Sequence, residues 1–505
     1  MQPIKNALIS VFNKQGIEPI VQTLNQQNVN IYSTGGTQQF IENLGVKVIA
    51  IESLTGFPEI LGGRVKTLHP KVFGAILARR ENENDLAETV KFEIPLFDMV
   101  MVDLYPFEET LAKTNNHDEI IEKIDIGGVS LIRAAAKNYK HTFIVSNTND
   151  FDEVQEILKN QQCATTENQR KLFAAKAFNT TSHYDTDIFN WFNQNNEIPA
   201  FKLSYANGKT LRYGENPHQK GYFYGNLNDS LIQLNGKELS YNNLLDMDAA
   251  IALTEDFSEP VVAIIKHNNP CGVASRDNII EAWKLALAAD PVSAFGGIIC
   301  LNRNVDAALA KEIDKIFFEV LIATEYSNEA LEILKGKKNR IMIKKNGSIK
   351  NNMQIKTALK GLLVQEYNNI INTPENLQLV TEKAAQKHEI EDLLFADTIV
   401  KHTKSNAIVL VKNKQLIGMG CGQTSRVDAL KQAIAKAQSF NFDLKGAVMS
   451  SDAFFPFPDC VEIANSVGIK TVIQPGGSIK DNESVDYCNK HNMSMYFTGK
   501  RHFKH

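Results

Sequence analysis

The stretch VNIYSTGGTQQFIENLG, residues 29–45, decides how the first part of this chain folds. A β-branched and aromatic run (29–33) stops at two glycines, and a helical pattern then continues to Gly45. A strand that feeds a helix through a glycine loop leaves the helix's first N–H groups free at its positive end, where an anion is favoured. Gly35 and Gly36 allow close backbone approach, and Ser33, Thr34 and Thr37 add hydroxyl groups. Taken alone, the pattern suits a structural turn as well as a phosphate site.

Working outward, the same alternation recurs. ALISVF (7–12) predicts a strand, and Ile17, Ile20, Val21 and Leu24 follow at helical spacing. KVIAI (47–51), FDMVMVDLY (97–105) and HTFIVS (141–146) predict further strands. Strand–helix alternation of this kind gives a mostly parallel, doubly wound α/β sheet with ligands at the carboxyl ends of its strands. Residues 150–200 are helical and polar, and the character then changes at YANGKTLRYGENPHQ. The boundary falls near 195–205, dividing the chain into domains 1–198 and 199–505. The second domain again mixes strands (PVVAII, GGIICL, AIVLV, AVMSS, KTVIQP) with amphipathic helices. Its lysine- and asparagine-rich segment 334–356 reads as a solvated connection between two lobes, and no internal repeat is visible.

Composition narrows the function. A chain of 505 residues exceeds one core. Its net charge of −4 offers no global basic field for nucleic acid or anionic membrane, so an anion site must be local. No apolar run is long enough to span a bilayer, and the N-terminus lacks a signal-peptide pattern. Six cysteines without a CxxC pair argue against a disulfide framework or structural zinc. The expectation is a reduced, cytoplasmic protein.

Local constellations carry the chemistry. GGRVKTLHPK (62–71) gathers Arg64, Lys66, His69 and Lys71 in one loop, which suits a small anion. DLYPF (103–107) and IDIGG (124–128) end apolar runs in acids, a phenol or paired glycines. In LIRAAAKN, Arg133 and Lys137 share a helix face, an arrangement that is usually solvated. LRYGENPHQ (211–219) has the density of a binding loop. The glycines 418, 420 and 422 do not match the dinucleotide fingerprint G-x-G-x-x-G. SDAFFPFPD (451–459) could wall a flat heteroaromatic ligand or pack on the core. IIKHNNPCGVA (264–274) raises three possibilities: a metal site, a Cys271/His267 nucleophile pair, or metal-free proton transfer. A zinc deaminase needs H-x-E and P-C-x-x-C, but Asn269 and Ala274 stand where the Glu and second Cys belong. Nothing supports a covalent route. A histidine beside a lysine fits a general base next to a cation that stabilises developing negative charge.

These motifs, with KSNAI, GQTSRVD, QPGGSIKD and the terminal FTGKRHF, occur in an order that resembles the bifunctional purine biosynthesis enzymes over essentially the whole chain. Those enzymes join an IMP cyclohydrolase domain to an AICAR transformylase domain. The resemblance implies a methylglyoxal-synthase-like first domain and a second domain of two cytidine-deaminase-like lobes without their zinc. It implies that Ser10, Lys14, Ser33, Thr34, Gly35, Gly36, Thr37, Arg64, Lys66, Thr67, Asp103 and Gly127 bind a purine ribonucleotide. Lys137, Tyr105 and Asp125 would manage protons as FAICAR closes to IMP. Asn13 stands where many relatives have aspartate, and Asp103 where some have asparagine. In the second domain, His267 would be the base and Lys266 the oxyanion stabiliser for formyl transfer from 10-formyltetrahydrofolate to AICAR. Arg212, Tyr213, Glu319, Asn406 and Arg501 would hold the ribonucleotide, with Gln423, Phe454, Asp459 and Ser478 on the folate side and His218 and Gly296 as further substrate-binding residues. The implied partners are these small molecules and a second copy of the chain in a homodimer, with no metal and no tightly bound cofactor. Rival readings are a phosphometabolite sensor and a deaminase-like hydrolase.

Overall fold

The structure, a computed structural model, describes residues 1–350 and 352–505. The chain divides into two compact units, Met1–Asn207 and Gly208–His505. That division lies nine residues beyond the expected boundary, because residues 202–206 are tied to the long helix Glu167–Phe192. Ser204 Oγ meets His183 Nδ1 at 3.0 Å, and Asn190 and Asn179 donate to the carbonyls of Lys202 and Ala206.

The first unit is built on a five-stranded parallel sheet. Its spatial order is Ile49–Ala50, Asn30–Ser33, Asn6–Ser10, Met99–Val102, Phe143–Val145. All four residues of Met99–Val102 are buried, as expected of a strand covered on both faces by helices. The helix Gly127–Lys137 packs Leu131, Ile132 and three alanines inward and leaves Arg133 and Lys137 outside. Glu167–Phe192 starts from a Thr166/Gln169 capping box and sets Phe173 against Phe143, ring centroids 4.7 Å apart.

The second unit carries a twelve-stranded sheet made of two lobes with the same topology. Each lobe has an edge strand, a helix, a two-strand hairpin, and then three further strands each preceded by a helix. In the first lobe the hairpin is Val261–Lys266 with Asn269–Ser275; in the second it is Ile408–Lys412 with Gln415–Gly420. The lobes join edge to edge through one antiparallel pairing, Ala274 with Gln415. Their agreement extends to detail. Helices Tyr241–Glu255 and Lys387–Lys401 each have 15 residues, and each hairpin residue has its counterpart 146 positions later. Both hairpins carry a bulge at the same place, after Ile264 and after Leu410. At the same register, a Cβ on Gly272 would lie 2.1 Å from the Ala286 carbonyl oxygen and one on Gly418 2.3 Å from that of Ala433. Only glycine lets helix and strand approach so closely. The repeat that the sequence does not display is therefore plain in the backbone.

Segment 334–356 is a solvated connection only in part: most of its described residues after Lys345 are exposed and lead toward the second lobe, but its middle is built into the sheet. Ile341–Lys345 is an interior strand pairing with Val320–Ala323 and Leu231–Asn235. Arg340 is buried over the Phe318 ring and bonded to Asp314, while Lys344 and Lys345 pair with Glu325 and Glu255. Asn351 of that segment lies outside the described residues.

Candidate functional site

In the first unit, strand order reverses between the neighbours Asn6–Ser10 and Met99–Val102, so a crevice opens beyond Ser10 and Val102. Asp103 spans it. Its carboxylate accepts the N–H groups of Phe12 and Asn13, the latter at 2.9 Å, and fastens the two strand-end loops together. Burial pushes its pKa up against these two hydrogen bonds.

The glycine loop places its polar groups differently from the expectation. Ser33 Oγ donates to the Ile9 carbonyl (2.6 Å), Thr37 Oγ1 to that of Val11 (2.8 Å), and Thr34 Oγ1 to Glu52 (2.8 Å). All three hydroxyls are buried and hold the loop in shape. What faces the crevice is the N-terminus of helix Gly35–Asn43 and two ammonium groups. A Cβ on Gly35 would stand 3.4 Å from Lys66 Nζ, and one on Gly36 4.0 Å from Lys14 Nζ. Thr67 Oγ1 lies 3.5 Å from a Cβ position on Gly127, where the helix Gly127–Lys137 begins. Lys66 and Thr67 thus link two helix N-termini, a strong setting for a phosphate. Arg64 instead pairs with Glu122 at the surface, and His69 caps the helix Pro70–Leu77 through Lys71 N–H.

Asp125 accepts Gly128 N–H at 2.6 Å and caps the same helix. Burial pushes its carboxyl up, opposed by N–H groups of Gly128, Tyr105 and Val129. The Tyr105 phenol is also pushed up, first by burial and then by the charges of Asp125 and Asp103. Two residues outside the sequence reading complete this corner. Lys123 Nζ lies 5.7 and 5.6 Å from the Phe12 and Tyr105 ring centroids. Tyr184 Oη accepts Asp125 N–H (2.8 Å) and donates to the Lys123 carbonyl. Position relative to the IDIGG loop could have flagged Lys123; nothing in the polar run around Tyr184 marks it. Lys137 is not brought to this corner. It sits at the other end of the helix from Gly127, about 15 Å along the axis at 1.5 Å per residue. There it lines a separate cavity of about 630 Å³ with Arg133, Lys171 and Phe178.

In the second unit, register places most of the expected residues along one end of the sheet. The hairpin tip of the first lobe, Lys266 and His267, stands beside the starts of Ile298–Leu301 and Val320–Ala323, hence beside Gly296 and Glu319. Strand direction reverses at the lobe junction, so the same end receives Asn406, Gln423, Phe454 and the loops holding Ser478 and Arg501. Asn269 ties the halves together by donating to the His267 carbonyl and accepting Lys404 N–H, both at 3.0 Å.

His267 and Asn268 form the two-residue turn, with φ of 51° and 61°, the left-handed region that such tight turns require. The imidazole is exposed, with no hydrogen-bond partner among the described residues. Lys266 Nζ donates to the carbonyls of Phe295 and Gly296, each 3.0 Å away, which leaves one N–H free. Cys271 is the bulge residue. Its Sγ meets the Ile264 carbonyl and burial pushes the thiol up to about 12, the behaviour of a packing residue. Among the described residues, the cluster able to hold a metal is Glu108, His183 and Asp187 in the first unit, and it includes neither His267 nor Cys271.

Around them, Glu319 pairs with Lys237 and accepts from Asn243. Arg212 stacks on the Tyr213 ring (4.9 Å) in an exposed loop with His218, and that loop docks by its Glu215 carbonyl on Asn242. The main omission of the sequence reading is Arg426. Nearly buried, it donates to Asn406 Oδ1 (2.8 Å), Asp452 Oδ1 (2.8 Å) and the Phe454 carbonyl (3.1 Å), joining three loops at one point. Its place in GQTSRVD was the available signal. Gln423 lends its carbonyl to Asn406 and its amide to Cys421 and Gln432. Asp459 opens helix Asp459–Ser466, Ser478 is fixed by Asp481, and Arg501 stacks on Phe503 at 4.4 Å.

With this geometry in place, relatives are informative. A family model described as the AICARFT/IMPCHase bienzyme matches residues 135–436, and one described as an MGS-like domain matches 16–130. The "Bifunctional purine biosynthesis protein PurH" of Bacteroides thetaiotaomicron is 56% identical over 502 residues, 99% of each chain. Proteins of the same name from Acetivibrio thermocellus and Aquifex aeolicus are each 48% identical, over 99% of this chain and all of theirs. This chain belongs to the AICARFT/IMPCHase bienzyme family of bifunctional purine biosynthesis proteins.

Proposed function

We propose that the chain's two activities, AICAR formyl transfer and cyclisation of FAICAR to IMP, are divided between the two units. The first unit is the cyclohydrolase. Lys14, Lys66 and the two helix N-termini hold the 5′-phosphate, and Tyr105 and Asp125 handle protons while the carboxamide nitrogen attacks the formyl carbon and water leaves. Lys137, expected in this proton set, stands at the far end of its helix and is left out of it.

The second unit is the transformylase. The 5-amino group of AICAR is a poor nucleophile because its lone pair is delocalised. His267 removes its proton as it attacks the formyl carbon of 10-formyltetrahydrofolate, and Lys266 stabilises the resulting oxyanion with its remaining N–H. Collapse of that intermediate breaks the bond from the formyl carbon to N10, which takes the proton held by His267, so tetrahydrofolate leaves and FAICAR remains. The observation that carries this reading is the turn itself, which holds an imidazole without a hydrogen-bond partner among the described residues next to an ammonium fixed by two carbonyls. Val292, Phe295 and Phe317 are exposed beside Lys266, which suits a site covered by a second copy in a cytoplasmic homodimer.

The test is a pair of variants assayed with AICAR plus 10-formyltetrahydrofolate, and separately with FAICAR. His267→Ala lowers formyl transfer by about 10²–10⁴-fold and leaves cyclisation intact. Asp125→Asn does the reverse. If each variant lost both activities while still folded, the division would be wrong.

A further inference from the structure

The duplicated lobe acts as an internal control that separates what the hairpin needs in order to fold from what the reaction needs. Between residues 240–275 and their counterparts 386–421, four pairs are identical: Asp246/Asp392, Ala250/Ala396, Lys266/Lys412 and Gly272/Gly418. With so little retained, each survivor should serve the shared backbone. Gly272 and Gly418 admit the packed helix, as described above. The aspartates serve the turn.

Both tips place two successive non-glycine residues in the left-handed region: His267 and Asn268 in one lobe, Asn413 (φ 51°) and Lys414 (φ 48°) in the other. Such a turn leaves its central N–H groups pointing away from the ladder. In the second lobe Asp392, reaching across from the preceding helix, takes both: Asn413 N–H at 2.7 Å and Lys414 N–H at 2.6 Å. In the first lobe Asp246, at the same helix position, takes Asn268 N–H at 2.7 Å. With its N–H groups turned to the acceptors, the Asn268 amide also donates to the Leu245 carbonyl (2.9 Å) and to Asp246 Oδ1 (3.2 Å). Three backbone and side-chain contacts thus secure the residue immediately after His267, which itself has no side-chain anchor among the described residues.

From this we infer that Asp246 is a positioning residue for formyl transfer: by capping the turn it fixes the left-handed backbone that aims the His267 imidazole. The proposal rests on His267 being the base. Misplacement of a catalytic group by about 1 Å costs on the order of 100-fold in rate, so a loosened turn should register in kcat.

The experiment compares Asp246→Ala, Asp246→Asn, Asp392→Ala and His267→Ala in the full-length protein. Asp246→Ala should lower kcat for formyl transfer by about 100-fold, with the AICAR KM within about threefold of the parent and FAICAR cyclisation unchanged. Asp246→Asn keeps an oxygen acceptor for Asn268 N–H and should restore most of the rate. Asp392→Ala should unfold at a lower temperature yet retain the rate; should it not fold, Asp392→Asn replaces it. Parent-like kcat in Asp246→Ala overturns the proposal. So does an Asp246→Asn loss equal to that of Asp246→Ala, which would assign the effect to charge instead of to the turn. If His267→Ala keeps full activity, the underlying assignment of the base fails, whatever Asp246 shows.

Discussion

The two hairpin tips of the second unit share a backbone and differ in how their charges are met. Lys266 and Lys412 both tie the hairpin to the loop that enters the next strand, by donating to the carbonyl three residues before it, Phe295 in one lobe and Lys445 in the other. Around Lys412 the Asp443 carboxylate adds a 3.1 Å ion pair. Around Lys266 no carboxylate comes within ion-pairing distance among the described residues. Beyond the tip, Lys414 is clamped by Glu259 and Glu391, whereas His267 is open. One end of the sheet has its cations neutralised and closed; the other keeps a cation and an imidazole free. The two lobes present equivalent ends; one is closed electrostatically, and the open one is the proposed site of formyl transfer.

The largest break in this comparison should come from the lysines. Lys266→Met is expected to lower formyl transfer by about 10²–10³-fold, the usual loss when a group stabilising an oxyanion is removed. Lys412→Met should leave both activities in place, with a stability loss below about 1 kcal/mol, since Asp443 is largely exposed. Steady-state assays of both variants decide it; an equal loss from Lys412→Met would mean the two ends are not functionally distinct.

A smaller effect is expected where the lobes meet. Asp256 and His402 are counterparts in the duplication, one ending each 15-residue helix, and they bond to each other at 2.6 Å. Burial pushes the His402 imidazole down to about 4 despite Asp256. Burial also raises Asp256, but His402, Lys401 and Lys350 outweigh it and hold the carboxyl well below its usual range. The sign follows from where protons bind. Unfolded histidine takes a proton near pH 6.5, while folded His402 refuses it until about 4, so stability falls as the pH is lowered across that window. Asp256 acts in the same direction at still lower pH. The full His402 contribution is about 3 kcal/mol. Urea unfolding at pH 7 and pH 5 captures about 2 kcal/mol of it, and His402→Gln should flatten the dependence; an unchanged slope in that variant would place the titration elsewhere.

These comparisons also show what could be read in advance. Strand positions in both units were legible because buried strands such as VVAII and MVMV are continuous apolar runs. The glycine loop was legible as a strand-to-helix turn open to an anion, but not the direction of its hydroxyls: Ser33, Thr34 and Thr37 turn inward to the Ile9 and Val11 carbonyls and to Glu52, a tertiary choice that spacing cannot reveal. Segment 334–356 misled because lysine content signals solvent only when no acid waits nearby; Glu255, Glu325 and Asp314, distant in sequence, absorb its cations. The repeat was invisible because a fold conserved through burial and glycine packing tolerates replacement at nearly every position, four identities in 36 being too few to see. Arg426 was hidden for another reason, since its role depends on three loops converging on one guanidinium.

The closed end gives the smallest expected effect and the sharpest check on the idea of closure. Lys414 Nζ lies 2.8 Å from Glu259 and 3.6 Å from Glu391, all three partly exposed. Glu259 precedes the hairpin of the first lobe and Glu391 lies in the helix of the second, so the lysine clips the lobes together from outside. Solvent screens such pairs, so Lys414→Met should cost less than about 1 kcal/mol, and the cost should shrink as salt rises and the Debye length shortens. Formyl transfer should be unchanged at every salt concentration. A stability loss that persists in 1 M salt would mean that the lysine's methylene chain, packed over the lobe junction, matters more than its charge. The closed end would then be held by packing, and the contrast between the two tips would lie in His267 alone.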